Sequence, residues 1–220
     1  MRQQVVRFKQ RKAIENWTMT QRWEHLIFVH WSVSPEMVRK LVPHQLEIDT
    51  FGGKAWIGVI LFLMNGFKLK YMPVPYPFSF PEINTRTYVK ANGFPAIFFM
   101  TLDAPDPFVV NIARRWYHLP YNHAEMSFKR KDGMFLFRSQ RKKPAYSAET
   151  FRGEFHPISD CFIPREGTIE HWLTERYVFF SKPPGHDKIY GGKVFHEPWV
   201  LQPARGTISV NHNIALPSPP

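Results

Sequence analysis

The chain has 220 residues, of which 44% are hydrophobic and 16% aromatic, and this composition predicts one large domain with a sizeable core. The single cysteine, Cys161, excludes an internal disulfide, and the longest apolar run, near residues 55–64, is too short for a membrane helix of ~20 residues. The formal charge of +11 leaves nucleic acid, an acidic ligand and an anionic surface open as partners.

The first part of the chain is predicted to form strands and one short helix. A basic arm, residues 1–20, precedes a strand at 23–31. Ser34 is a good N-cap and Pro35 a good first helical residue, so a short helix begins there. Residues 54–67 have the continuous apolar character of a strand that is buried on both faces.

A proline-rich loop at 72–81 leads to two further strands, 82–90 and 94–102. A helix is predicted to start within 103–107 and to end near residue 116. Apolar residues at helical spacing predict which face of this helix is buried: Phe108, Val109, Ile112 and Trp116.

The clearest hairpin follows this helix. Its strands, 124–131 and 134–141, flank Asp132-Gly133, a pair that accepts the positive φ angles of a tight turn. Another short helix is expected at 168–175. Four more strands complete the set, at 146–155, 176–182, 188–196 and 199–209. Some ten strands with two or three short helices predict a mainly β (α+β) fold that is a closed or nearly closed barrel, because closure removes exposed sheet edges.

No internal repeat or inter-domain linker divides the sequence. Residues 21–210 are therefore predicted to form a single domain between the basic arm and a C-terminal tail at 211–220. The N-terminus lacks the apolar segment of a signal peptide, and a lone cysteine suits a reducing compartment. We therefore expect a cytoplasmic protein that has no membrane segment.

The strand 82–89 carries polar side chains at every second position. Because side chains alternate along a strand, four of them share one face: Glu82, Asn84, Arg86 and Tyr88. These four can form the wall of a ligand pocket or an ordinary solvent-facing surface, and the pattern alone leaves both readings open. Glu82 and Arg86 lie roughly 13 Å apart along a flat strand, so each needs another partner or a ligand.

A second candidate stretch lies at the end of the predicted helix. An arginine beside aromatic rings can bind a carboxylate, and a solvated helix end is the alternative. Its candidate ligand-binding residues are Arg115, Tyr117, Tyr121 and Asn122.

A third stretch contains Glu175 and Arg176. A buried charge needs a partner, so these two residues can complement Arg86 and Glu82 across the interior, or they can form a structural ion pair. His196 lies near a strand end, where a structural role competes with ligand binding.

Basic residues crowd the N-terminus and the stretch 129–143. Phe128, Phe135 and Phe137 alternate with them, superficially like a surface on which bases stack. In a hairpin these rings are expected to face the core, and no nucleic-acid motif accompanies them. A solvated arm and a solvated hairpin are therefore favoured over a nucleic-acid surface.

No motif predicts a metal or a cofactor. The pairs His25 and His30, and His118 and His123, are five positions apart, which fits neither one strand face nor the usual helical metal pair. The sequence has no GxSxG, P-loop or dinucleotide fingerprint. Cys161 is predicted to be a packed thiol rather than a nucleophile.

Several stretches together resemble a known family. Residues 33–49 resemble the N-terminal helix of acetoacetate decarboxylase-like proteins. Four further stretches resemble the YqjF-like branch of that superfamily: EINTRTYV at 82–89, YHLPY at 117–121, WLTERY at 172–177 and HEPW at 196–199. The resemblance runs from about residue 20 to 208. It implies a cone-shaped, mostly antiparallel β-barrel with an enclosed pocket, and it makes a homo-oligomer an option, because the superfamily often assembles.

The decarboxylases of this superfamily act through a lysine Schiff base within a Pro-Lys-Lys motif, where the second lysine lowers the pKa of the first. The matching positions here are Pro120, Tyr121 and Asn122. The resemblance therefore implies neither an iminium nor decarboxylation. It carries over Glu82 as the counterpart of the family's catalytic glutamate, whereas Arg22 is one position out of register with the family's N-terminal arginine.

The leading prediction is a pocket for a small organic acid or carbonyl compound, an anionic one included, in a binding protein or an enzyme without a Schiff base. Arg86 or Arg115 would hold a carboxylate, and Glu82 would act as an acid or base or orient a water. Hydrogen bonds would come from Tyr88, Tyr121 and Asn122. Two alternatives stay open: a basic nucleic-acid-associated protein, and a ligand-free structural protein in which Glu82, Arg86, Glu175 and Arg176 form an ion network.

Overall fold

The computed structural model describes residues 17–72, 76–142 and 150–212. The predicted basic arm up to residue 16, the tail from residue 213 and the start of the predicted strand 146–155 lie outside the described residues.

The described residues form eleven strands and three short helices, which confirms the mainly β prediction. The strands are β1 (Met19–Val33), β2 (Glu47–Ile48), β3 (Ala55–Leu69), β4 (Phe80–Ala91), β5 (Phe94–Ala104), β6 (Tyr121–Lys131), β7 (Met134–Arg141), β8 (Phe151–Pro157), β9 (Val178–Ser181), β10 (Tyr190–Lys193) and β11 (Ala204–Asn211). The helices are α1 (Pro35–Arg39), α2 (Pro107–Trp116) and α3 (Ile169–Thr174). None of the helices in these ranges has the length and apolar character needed to cross a bilayer.

The strands form one sheet that curls into a half-barrel. Its main path runs β1-β3-β4-β5-β6-β7-β8-β11, while β2 pairs with β4, and β9 pairs with β5 and β10. The pairings are antiparallel, except that β5 runs parallel to both β6 and β9. The prediction of a mostly antiparallel, barrel-like fold is therefore confirmed, in the form of a curled half-barrel.

Strand β5 determines how the sheet curls around its concave face. Residues 102–104 pair with 121–123 of β6, and residues 97–99 pair with 179–181 of β9. Parallel neighbours need a long crossover, and helix α2 supplies it between β5 and β6. This crossover places the start of β6 next to β5, only two strands away from β4.

Strand β3 is buried on both faces, as its continuous apolar sequence predicts. Ile57, Val59 and Leu61 pack into one core cluster. Ile60, Phe62 and Met64 alternate with them and pack into a second cluster. The second cluster lies on the side of the sheet that faces the candidate site.

Helix α2 begins where the sequence predicts, but it buries a different face. The Asp106 side chain caps it by accepting hydrogen bonds from the N–H groups of Phe108 and Val109. Phe108 and Trp116 were expected in the core but are 53% and 66% exposed. Phe108 stacks instead on Tyr76, at 6.2 Å between ring centroids. The buried residues are Val109, Val110 and Ala113.

Strand β1 extends beyond its predicted bounds of 23–31. The sequence pattern does not reveal its full length because an irregularity interrupts the alternation of its side chains. His25 has a φ of +55°, and the register with β3 shifts between Glu24 and Ile27. Such a bulge breaks the period-two pattern from which a strand is predicted.

The predicted strands 188–196 and 199–209 are displaced. Strand β10 ends at residue 193 and β11 starts at residue 204. Between them Pro198 and Pro203 cannot donate ladder hydrogen bonds, which explains why the segment 194–203 is a loop that pairs only through an isolated bridge at Leu201. The prediction of a packed Cys161 is wrong, because this residue is exposed in the connection between β8 and α3.

Candidate functional site

A cavity of about 130 Å³ lies against the concave face of the sheet. One water needs roughly 10–15 Å³ on this measure, so the cavity has room for a small organic molecule. One row of its lining crosses five strands in register: Phe28, Ile60, Asn84, Leu102 and Tyr121. Residues abreast of one another in a sheet point to the same side. The register therefore brings these five side chains together on one side of the sheet although they are far apart in sequence.

Strand β4 supplies the polar wall that its alternation predicts. Glu82, Asn84 and Arg86 all line the cavity. The register between β4 and β5 shifts between Thr85 and Arg86, and such a bulge re-aims the side chains beside it. Tyr88, the fourth residue of the predicted face, is fully buried and does not line the cavity.

Glu82 is a buried carboxyl that has a phenol as a neighbour. The Tyr121 hydroxyl donates to Glu82 Oε2 at 2.7 Å, and Glu82 is 3% exposed. No cation of the described residues forms an ion pair with it. Burial raises the pKa of Glu82 to about 8, against smaller opposing effects of hydrogen bonds from Tyr121 and Asn84. At neutral pH Glu82 is therefore mostly protonated, and its second oxygen can donate a hydrogen bond.

Arg86 contributes a cation whose hydrogen bonds among the described residues are with uncharged groups, the Tyr88 hydroxyl included. Its Nη2 donates to the Leu173 carbonyl at a long 3.4 Å, and its buried Nε has no hydrogen-bond partner among the described residues. Its guanidinium lies 5.9 Å from the ring centroids of both Phe28 and Tyr88. No carboxylate in the described ranges forms an ion pair with it. The charge of Arg86 is therefore available to a ligand.

Arg176 also lines the cavity, but its charge is compensated. Its Nη1 lies 2.7 Å from Asp49 Oδ2, with both side chains 3% exposed. Lys90 reaches the other oxygen of Asp49 at 3.2 Å, and the guanidinium of Arg176 stacks 4.3 Å above Trp172. The predicted complementation of Arg86 and Glu82 by Arg176 and Glu175 is wrong, because Asp49 takes this role for Arg176.

Glu175 does not line the cavity, but its hydrogen bonds hold residues that do. Its carboxylate accepts hydrogen bonds from the Tyr177 hydroxyl and, at 3.3 Å, from the Trp199 N–H. His196 packs between these two residues, with its ring centroid 4.6 Å from each ring. His196, Trp199 and the half-buried Tyr117 all line the cavity.

Two further predicted residues, in addition to Tyr88 and Glu175, do not line the cavity. Arg115 is exposed near the end of α2. Asn122 follows Tyr121 in the same strand and so points to the opposite side of the sheet. There its amide donates to Thr101 at 2.8 Å and to Asp103 at 3.2 Å, within a buried cluster held by Arg141. Neither residue is retained in the site.

Behind the wall, Tyr88 joins β4 to β1 and to the end of α3. Its hydroxyl donates to the Leu173 carbonyl at 2.9 Å and lies 2.7 Å from His30 Nε2. Since a carbonyl only accepts, the Tyr88 proton points to Leu173 and His30 Nε2–H is the donor to Tyr88. Burial, together with the nearby Arg86, holds the pKa of His30 well below its usual value, so His30 is neutral. No local sequence pattern marks His30 as part of the site, because its contact with Tyr88 spans 58 positions of the chain.

Gly58 makes room for this pair. It lies directly opposite His30 in the register, and a Cβ added to it would sit 2.8 Å from His30 Nε2. We expect Gly58→Ala to lower the free energy of unfolding by about 1–3 kcal/mol through overpacking, as measured by urea denaturation. In a His30→Ala background the same substitution should cost much less. An equal cost in both backgrounds would contradict the assigned contact.

The aromatic rings of the basic hairpin of β6 and β7 pack towards the core, as the hairpin pattern predicts. Phe137 is buried in the core, and the partly buried Phe128 and Phe135 pack against the same cluster. Within the described residues, no group of three or more His, Cys, Asp or Glu side chains is placed to hold a metal ion.

The curled, mostly antiparallel sheet is a fold that this chain shares with acetoacetate decarboxylase-like enzymes. The fold is similar to acetoacetate decarboxylase from Legionella pneumophila, with a TM-score of 0.57 and 10% identity over 86% of this chain and 73% of that one. It is also similar to the enduracididine biosynthesis enzyme MppR, complexed with the condensation product of pyruvate and imidazole 4-carboxaldehyde. That match has a TM-score of 0.63 and 12% identity, covering 87% of this chain and 76% of that one.

Sequence comparison identifies the family. The chain belongs to DUF2071, a family of uncharacterized conserved proteins, whose model matches residues 20–217. It is 39% identical over 207 residues to the uncharacterized protein YqjF of Bacillus subtilis (strain 168), covering 91% of this chain and 84% of that protein. The predicted resemblance to the YqjF-like branch is therefore confirmed.

Proposed function

We propose that the cavity binds a small organic acid or carbonyl compound through Arg86 and Glu82. The observation that carries the proposal is the guanidinium of Arg86, which lines the cavity with no ion pair among the described residues and with an unpartnered, buried Nε. Placing a cation in such a site is costly unless an anion compensates it. A ligand carboxylate is the group that fits the planar donor array of an arginine.

Glu82 supplies the second anchor. As a protonated acid it donates to a carbonyl oxygen, while Tyr121 holds its other oxygen. A carboxyl with a raised pKa in a cavity is also the usual form of a general acid, so the same group can polarise or protonate a bound carbonyl. The proposal therefore covers binding and acid-assisted turnover of the ligand.

The chemistry that we propose involves no Schiff base. The described residues that line the cavity include no lysine, and Tyr121 occupies a position where the resemblance places a lysine of the decarboxylases. MppR, which has a similar fold, has been solved with pyruvate, and this supports small oxo acids as a ligand class by analogy of fold only.

The free, exposed thiol of Cys161 supports our placement of the protein in the cytoplasm.

Calorimetric titration with a panel of oxo and hydroxy acids tests the proposal. Arg86→Gln should weaken the binding of any acid that the wild-type protein binds by roughly 10–100-fold, the effect of losing a hydrogen bond to a charged group. Arg115→Gln is the matched control, because Arg115 is exposed, and it should leave the affinity unchanged.

Borohydride treatment of the complex should leave the mass of the protein unaltered, because no iminium is formed. A reduced covalent adduct would overturn the proposed chemistry. Equal losses in the Arg86 and Arg115 variants, or no acid that binds, would overturn the assigned anion site.

A further inference from the structure

One side of the cavity is built from stacked aromatic rings. Trp23 and Trp199 are stacked at 5.9 Å between ring centroids, with an interplanar angle of 20°. His196 lies 4.6 Å from Trp199, and Phe28 meets the same indole edge-on at 5.7 Å. All four rings line the cavity. The group, called the aromatic wall below, joins β1 to the loop 194–203.

The remaining lining is also mostly apolar. It includes aliphatic and aromatic side chains from the strands around the sheet, among them Leu26, Ile60, Phe62, Ile97 and Leu102. A three- or four-carbon acid held at Arg86 would leave much of this surface in contact with water. Because burial of apolar surface is the main source of affinity in such a pocket, the cavity fits a ligand with a larger apolar body.

The fixed charges of the cavity are few. Arg176 is neutralised by Asp49. Glu82 holds a hydrogen bond from Tyr121 and has no cationic partner in the described ranges. Arg86 is left as the cation without an ion pair among the described lining residues. The complementary ligand therefore carries one anionic group and little other charge.

Arg86 lies where the polar and aromatic sides meet. Its guanidinium is 5.9 Å from the ring centroid of Phe28, which in turn contacts Trp199. A carboxylate bound to Arg86 thus has its substituent directed along the aromatic wall.

Resting on the proposed function, we infer that the ligand is an aromatic carboxylate, either an arylalkanoic acid or an aryl 2-oxo acid. Its carboxylate binds Arg86, its ring stacks in the aromatic wall, and a 2-oxo group, where present, accepts a hydrogen bond from Glu82. Specificity for the ring comes from Trp23 and Trp199, whereas Arg86 selects the anion.

The test compares phenylpyruvate with pyruvate, and 3-phenylpropionate with propionate, by calorimetry. Each aryl acid should bind about 100-fold more tightly than its small partner, the effect of burying one ring. The uncharged ketone 4-phenyl-2-butanone should bind more weakly than both aryl acids. Phenylpyruvate and pyruvate binding with equal affinity would overturn the aromatic ligand but leave the proposed acid site intact. Failure of every acid to bind would overturn the proposed function itself.

Two substitutions separate the contribution of the aromatic wall from that of Arg86. Trp199→Leu should reduce the affinity for phenylpyruvate at least 10-fold while leaving that for pyruvate unchanged, whereas Arg86→Gln should weaken both. Trp116→Leu is the matched control, since Trp116 is 66% exposed on α2, and it should change neither affinity. If Trp199→Leu fails to fold, as shown by circular dichroism, Phe28→Leu serves as the second variant. A loss of pyruvate affinity as large as that for phenylpyruvate would overturn the assigned ring site.

Discussion

Replacing Asp49 with alanine is expected to lower the free energy of unfolding by about 3–5 kcal/mol, the typical cost of breaking a buried ion pair. Asp49 and Arg176 are 2.7 Å apart, and each side chain is 3% exposed. Without the carboxylate, the Arg176 guanidinium stays buried over Trp172 with no compensating charge. Urea denaturation measures the loss directly.

Two controls isolate the cause. Asp160→Ala removes an exposed carboxylate and should change stability by no more than about 0.5 kcal/mol. The double substitution Asp49→Leu and Arg176→Met removes both charges, and it should recover most of the stability that Asp49→Ala loses. A loss below about 1 kcal/mol for Asp49→Ala would show that Arg176 finds solvent or another partner.

Local sequence patterns predicted the strands and turns well, because burial of a strand and the conformation of a tight turn depend on residues that are close together in the sequence. Strand β3 is continuously apolar from Ala55 to Met64 and is buried on both faces there, and Asp132-Gly133 forms the expected turn between β6 and β7. Errors arose where a contact remote in sequence overrides the pattern. The helical spacing placed Phe108 in the core, but the ring of Tyr76 offers it a partner at the surface.

Local patterns also predicted part of the candidate site. Alternation along β4 predicted Glu82, Asn84 and Arg86 as one face, and all three line the cavity. Alternation also separates Tyr121 from Asn122, so the strand pattern itself could have removed Asn122.

Other parts of the site could not be predicted from local patterns. The ion pair of Asp49 with Arg176 spans 127 positions of the chain and depends on the folded register. The stacking of Trp23 on Trp199 likewise joins strand β1 to the loop that precedes the last strand, β11. Local sequence patterns carry no information on such pairs.

Replacing Glu82 with glutamine is expected to make the protein more stable at alkaline pH. Burial raises the pKa of Glu82 from 4.5 in the unfolded chain to about 8 in the fold. Below pH 4.5 both states are protonated and the group costs nothing. Between pH 4.5 and about 8 only the unfolded chain releases the proton, so stability falls by about 1.4 kcal/mol per pH unit. Glutamine is neutral throughout and still accepts the Tyr121 hydrogen bond.

The difference in free energy of unfolding between Glu82→Gln and the wild type should therefore be small near pH 4.5 and grow to roughly 3–5 kcal/mol at pH 8.5. Because other groups titrate in both proteins, this difference isolates Glu82. Glu154 lies exposed on β8, and Glu154→Gln is the matched control that removes a surface carboxylate. A flat difference for Glu82→Gln would mean that Glu82 is ionised at neutral pH. The cavity would then hold an internal carboxylate, and the acid role proposed for Glu82 would be lost together with the donor for a ligand carbonyl.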